Sequence, residues 1–161
     1  MTMQVGVALL VGISAIVEDV AHRRISNWIP AAALVGGLAV AVWGAPRATK
    51  DVDVLVQRPD LSRALVAVGG RGFTLAALPF EFKDGTEVQR VNKVDPAGNL
   101  MTLDFMIVDK NLQQAWTSRV RLPFAERHVT VVSRDALIGM KARAARPQDI
   151  VDIQNLKEID G

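Results

Sequence analysis

Cysteine is absent from the 161 residues, which excludes a disulfide framework, a thiolate metal site and a cysteine nucleophile. A reducing cytoplasm suits such a chain and is the expected location. An excess of charge of either sign is also missing. Lys and Arg total 19 against 17 for Asp and Glu, a net +2 despite a calculated pI near 9.3, so bulk charge gives no argument for nucleic acid. Two histidines, His22 and His128, have no ligand-spaced partners, which argues against a histidine site. No internal repeat, low-complexity tract or flexible linker interrupts the chain.

A membrane-length apolar run is lacking too. Residues 5–17 are almost wholly apolar, but a spanning helix needs roughly 20 such residues. No basic residue precedes the run, and Glu18 and Asp19 follow it where a signal peptide would carry a small-residue cleavage site. The expected structure is a packed helix within residues 1–28, with no membrane association. Residues 29–43 are broken by Gly36-Gly37 and suit a strand, a turn and a short helix. With 50% hydrophobic residues, the length fits one domain over 1–161 with its core in 31–157.

What is present is a run of small residues ahead of a strand with two acids. Gly36-Gly37 precedes Gly44-Ala45-Pro46-Arg47-Ala48-Thr49-Lys50-Asp51-Val52-Asp53-Val54-Leu55-Val56. Side chains alternate across a strand, so Asp51, Asp53 and Leu55 share one face and Val52, Val54 and Val56 the other. Adjacent like charges repel and serve a fold poorly, whereas hard divalent cations need such oxygen ligands, with phosphates completing the shell. Alone, the pattern is also that of a solvated strand edge.

Downstream, Asp60 is a suitable N-cap for a helix over 61–68 that Gly69-Gly70 stops. Residues 73–78 read as a short strand. Residues 86–94 and 100–108 read as a hairpin about the turn Asp95-Pro96-Ala97-Gly98-Asn99. On its second strand Asp104 points away from the most apolar face, that of Met101, Leu103, Phe105 and Ile107. Residues 128–132 read as a strand. Ser133 can cap a helix over 134–145, and Pro147 opens a last helix over 148–157. The fold class is α+β, a mixed sheet flanked by helices. Lys141 sits near the apolar stripe of its helix between Leu137, Met140 and Ala144, where its charged end needs a partner or a route to solvent. Asp149 and Asp152 share a helical face, and a structural role with Arg146 as partner is expected.

Gly36, Gly37, Arg47, Thr49, Asp51 and Asp53 resemble the signature of the nucleotidyltransferase superfamily related to DNA polymerase beta. More closely, Gly36-Gly37-x-Ala39 followed by Gly44-x-x-Arg47-x-Thr49-x-Asp51-x-Asp53, and later Lys141 before Arg146-Pro147-x-Asp149 and Asp152, resemble bacterial nucleotidyltransferases akin to AbiEii toxins. The resemblance spans about residues 31 to 157. It implies that Asp51, Asp53 and Asp104 bind two Mg²⁺ ions, with Asp104 also helping to activate an acceptor hydroxyl. Gly36, Gly37, Arg47, Thr49, Lys50 and Lys141 would bind a nucleoside triphosphate, the triphosphate being the partner that Lys141 needs. Amides at the start of the helix after Gly36 would donate to its oxygens.

The implied function is transfer of a nucleoside monophosphate to a hydroxyl in a toxin-antitoxin or phage-defence setting. The acceptor would be transfer RNA, a protein or a small molecule, and an antitoxin a possible partner. Arg119, Arg121, Arg143 and Arg146 could form a phosphate-binding edge. A second reading resembles aminoglycoside or lincosamide adenylyltransferases, with Glu81, Asp84 and Glu87 as acids for a cationic acceptor. A third is a catalytically silent domain that binds nucleotide or a partner protein. Asp19 with Arg23-Arg24-Ile25-Ser26-Asn27-Trp28 also resembles the first aspartate segment of prepilin peptidases, but the Gly-x-Gly-Asp segment those membrane proteases need does not occur.

Overall fold

Short β-branched and aliphatic runs build the centre of the molecule. The computed structural model describes residues 32–47, 49, 51–124 and 127–159. The helix expected within 1–28 and the expected phosphate contact Lys50 lie outside the described residues. Strand β1 (Ala32–Val35) runs into helix α1 (Gly36–Val42) and is followed by β2 (Asp51–Val56), the strand, turn and short helix read from the glycine pair. A 3-10 turn (Arg58–Asp60) leads into α2 (Leu61–Gly69). Asp60 occupies the N-cap position of α2 without capping it and pairs with Arg63 instead. The preceding turn has already drawn its backbone into the helical region, at φ −93° and ψ −9°, whereas a capping residue needs extended backbone.

Next come β3 (Leu75–Ala76), β4 (Phe80–Glu81), β5 (Glu87–Val94) and β6 (Leu100–Ile107). The strand expected over 73–78 is therefore only two residues long, with Phe73 turned into the core at 5% exposure. The β5–β6 hairpin forms as expected. Its turn is closed by Asn99, which donates to Asp95 through its backbone at 2.8 Å and its side chain at 2.9 Å, with Gly98 supplying a φ of +86°. Helix α3 (Gln113–Thr117) and β7 (Val120–Phe124) were not read from the sequence. The first is too short to show periodicity, and the second contains Pro123, a residue tolerated on an edge strand, which is where β7 lies. It forms a hairpin with β8 (Arg127–Val131).

Helix α4 (Arg134–Ala144) is capped by Ser133, whose hydroxyl accepts from the Ala136 amide at 3.2 Å. Helix α5 (Pro147–Glu158) begins on Pro147. Among the described residues, eight strands form one sheet, in the order β3-β5-β6-β2-β1-β8-β7 with β4 also paired to β5. It is mixed, since β2 with β6 and β1 with β8 are parallel and the other pairs antiparallel. One apolar cluster joins the sheet residues Val52, Val54, Leu103 and Phe105 to Leu38, Val68, Leu137 and Leu156 of the helices. Truncating Phe105 or Leu137 to alanine would cost about 2–5 kcal/mol. Among the described residues no helix is long and apolar enough to cross a membrane.

Candidate functional site

The parallel pairing of β2 with β6 sets Asp53 directly beside Asp104 and Asp51 beside Thr102. Partners in register project to the same face, so Asp51, Asp53 and Asp104 gather at the centre of the sheet, above Val52 and Val54. Asp51 is exposed, Asp53 half-buried and Asp104 buried. Burial first, then the charges of Asp104 and Asp51, push the Asp53 carboxyl up to about 6, against the pull of Arg146 and Lys141. A carboxylate crowded in this way is stabilised by any cation that enters.

The glycine pair is explained by what its backbone touches. Gly36 has a φ of +64°, and a Cβ there would lie 2.1 Å from Asp53 Oδ2. At Gly37 a Cβ would lie 2.8 Å from Arg47 Nη2 and 3.0 Å from Thr49 Oγ1. The close approaches that demand glycine are thus to the protein's own Asp53, Arg47 and Thr49, which ties the Gly-Gly turn to the Arg-x-Thr-x-Asp-x-Asp run in space. Thr49 donates its hydroxyl to the Asp51 carbonyl at 3.0 Å and so fixes the entry to β2.

Beside this turn lies a buried charge network. Lys141 is 4% exposed, and its Nζ lies 2.6 Å from Asp152 Oδ2 and 3.3 Å from Asp149 Oδ1. Arg47 Nε lies 3.0 Å from Asp152 Oδ1. Arg146 donates to Asp149 through Nε at 2.7 Å, Nη2 at 3.1 Å and its backbone amide at 3.1 Å, and Gln148 donates to Asp152 at 3.1 Å. Burial opposes ionisation of both acids. It is outweighed by the hydrogen bonds of Arg146 at Asp149, and by Lys141, Gln148 and Arg47 at Asp152, so both carboxyls sit below the ordinary range. Of the two outcomes open to the Lys141 ammonium, a partner or a route to solvent, the structure shows the first: Asp149 and Asp152 pair with it and it is buried. The expected pairing of Arg146 with Asp149 is present.

The residue missed from the sequence is Arg90. It stands opposite Asp104 in the hairpin and donates from Nε to Oδ1 and from Nη2 to Oδ2, both at 2.7 Å. Its guanidinium also lies 5.3 Å from the centroid of the Phe80 ring. A signal existed. Counting outward from the 95–99 turn pairs 94 with 100, 92 with 102 and 90 with 104, a cross-strand Arg–Asp contact.

The remaining charged candidates are dispersed. Arg119 stacks 3.9 Å over Trp116 and donates to its carbonyl, while Arg121 and Arg143 are exposed. Of the three loop acids, Glu87 pairs with Arg58, Asp84 accepts from the Thr86 amide at 3.0 Å and Glu81 is exposed. Among the described residues no three acids or histidines converge into a ready-made ion cage. The donor chemistry nonetheless fits a hard cation at Asp51 and Asp53, two carboxylates on one face with Asp53 under like-charge pressure, while both oxygens of Asp104 are engaged by Arg90.

The chain matches, over residues 20–161, the family described as nucleotidyl transferase AbiEii toxin, type IV TA system. No curated protein sequence matches it. Its fold is similar to that of the lincosamide antibiotic adenylyltransferase LnuA in its lincomycin-bound form, at 16% identity and a TM-score of 0.54, over 80% of this chain and 87% of that one. A Thermotoga maritima protein described as a nucleotidyltransferase is similar at 12% identity and a TM-score of 0.56, over 96% and 93% of the two chains. ANT(2″)-Ia, in complex with adenylyl-2″-tobramycin, is similar at 16% identity and a TM-score of 0.53, over 94% and 87%. Identities this low carry the fold alone, but the family match extends across most of the sequence, including the glycine turn, the paired carboxylates and the Lys141 network. The chain belongs to the AbiEii nucleotidyl transferase family.

Proposed function

We propose that this nucleotidyltransferase is Mg²⁺-dependent and moves a nucleoside monophosphate from a nucleoside triphosphate to an acceptor hydroxyl, as the toxin of a toxin-antitoxin pair. The observation that carries the reading is the gathering of Asp51, Asp53 and Asp104 on one face, with Asp53 against the Gly36 turn. The acceptor oxygen bonds to the α-phosphorus, its proton passes to Asp104, and the bond to the bridging oxygen breaks with its electrons leaving on pyrophosphate. Asp51 and Asp53 would hold the cation. Bound there, a divalent ion stabilises negative charge on the attacking and leaving oxygens.

The turn at Gly36-Gly37 borders the triphosphate side, where Arg47, Thr49 and Lys50 would meet phosphate oxygens. Lys141 acts there indirectly, by holding the Asp152 carboxylate that grips Arg47. Transfer RNA, a protein or a small molecule remains the acceptor class. The lincomycin and tobramycin named with the structural neighbours favour a small molecule. Against a cationic one stands the engagement of Asp84 and Glu87 within the protein.

The test is incubation with each α-labelled nucleoside triphosphate, Mg²⁺ and a mixture of transfer RNA, cell protein and aminoglycosides. A chain carrying Asp51→Ala and Asp53→Ala is the control. Label transferred only by the unaltered chain supports the reading and reveals the acceptor. Mg²⁺-dependent nucleotide binding with no transfer would replace it with a silent nucleotide-binding domain.

A further inference from the structure

We infer that Arg90 is the positioning residue of this site: braced by the Phe80 ring, it holds the Asp104 carboxylate toward an acceptor that enters from the β5 and β4 edge of the sheet. The inference rests on the nucleotidyl-transfer reading above and adds to it the side of approach and the residue that sets the base.

Two parallel N–H···O contacts of 2.7 Å fix both the position and the rotation of a carboxylate, which a single contact from lysine does not. The Asp104 side chain is only 5% exposed, while 39% of the Arg90 side chain reaches solvent. The clamp therefore closes over the acid from the outer side. A carboxylate has roughly four acceptor positions, so one lone pair on each oxygen remains outside the clamp, enough to accept the hydroxyl proton.

The sheet order supplies the direction. Phe80 pairs with Val88, two residues from Arg90 along β5, so Phe80, Arg90, Asp104 and Asp53 share one face. Along that face, the sequence of features is the Gly36 turn after β1, the acids on β2 and β6, Arg90 on β5 and Phe80 on β4. In-line displacement requires the acceptor oxygen and the leaving pyrophosphate on opposite sides of the α-phosphorus. With pyrophosphate toward the Gly36 turn, the acceptor side is the one that Arg90 and Phe80 occupy. That side is open: Phe82, edge-on to Phe80 at 5.7 Å, is 44% exposed.

The experiment compares the full chain with Arg90→Ala, Arg90→Lys and Phe80→Leu, using the acceptor identified by the labelled-nucleotide screen. Thermal melts establish folding. Nucleotide affinity in Mg²⁺ is measured apart from turnover. Arg90→Ala and Arg90→Lys should bind nucleotide within about threefold of wild type while kcat falls about 10- to 100-fold, the range for removing a group that orients a reacting ligand. Added methylguanidinium should restore part of the Arg90→Ala loss. Phe80→Leu should raise the acceptor KM with little change in nucleotide affinity.

A folded Arg90→Ala chain that transfers as fast as wild type overturns the inference alone. So does a loss of kcat matched by an equal loss of nucleotide affinity, because the residue would then serve the whole site. Should Arg90→Ala not fold, Arg90→Lys and Phe80→Leu are judged by the same split between kcat, KM and nucleotide affinity. A wild-type chain that transfers label to no acceptor overturns the nucleotidyl-transfer reading and this inference with it.

Discussion

Two groups of aspartates lie on either side of the Gly36–Gly37 turn, and they differ in how their charge is answered. At Asp149 and Asp152, three cations serve two carboxylates, with Gln148 adding a further donor. Both carboxyls are held low despite burial. At Asp51, Asp53 and Asp104, one arginine clamps one of three acids, and Asp53 is pushed up to about 6. The first group is complete and braces the end of α4 against α5 and Arg47. The second is short of positive charge, which is what the cation proposed to bind there would require. One side-chain type thus serves two purposes, and neighbouring cations decide which.

Four changes would break or sharpen that contrast. The largest effect is expected at Asp53→Asn. Transfer activity should fall on the order of a thousandfold, about 4 kcal/mol of barrier, while a thermal melt without Mg²⁺ should be no worse than wild type, since a crowded charge has been removed. Lys141→Met should do the reverse, because it strips the shared cation from two buried carboxylates. Denaturant unfolding should show a loss of about 3–5 kcal/mol, and preserved stability would mean that the network does not hold the helix pair.

The third change is in pH. Asp53 binds its proton more tightly folded than unfolded, so the folded state carries more protons between the ordinary carboxylate range and about 6. Stability of the Mg²⁺-free chain therefore declines as pH rises through that window, by at most about 3 kcal/mol. Asp53→Asn should abolish the decline, and added Mg²⁺ should raise the melting temperature most above it. Asp149 and Asp152 act in the opposite sense. Their contribution is present above the ordinary carboxylate range and is lost as pH falls below it. The smallest effect belongs to Glu87→Gln, which removes the charge that pairs with the exposed Arg58. Denaturant unfolding should be nearly unchanged, and a clear loss would show that surface pairs matter here as much as buried ones.

Much of the molecule was legible because it depends on local rules. The β5–β6 hairpin follows from its turn residues, the Ser133 cap and the Pro147 helix start from backbone chemistry, and the shared face of Asp51 and Asp53 from strand alternation. Short or irregular pieces were not legible. Pro123 hides β7, five residues do not reveal α3, and the 3-10 turn at 58–60 removes Asp60 from its capping role. The Arg90–Asp104 clamp lay between these cases, since its register could be counted from the turn but its bidentate geometry could not.

By itself, the sequence determined the α+β class, the family and the shared face of Asp51 and Asp53, because strand alternation, turn residues and spaced motifs act within a few positions of one another. Tertiary structure decided which charges are already answered. Only the packing of α4 against α5 and the loop before β2 shows that Lys141 is held by Asp149 and Asp152, that Arg47 reaches Asp152, and that Gly36 is glycine because Asp53 lies against it. Electrostatic partnership depends on distance in space and on burial, and neither is a function of separation along the chain.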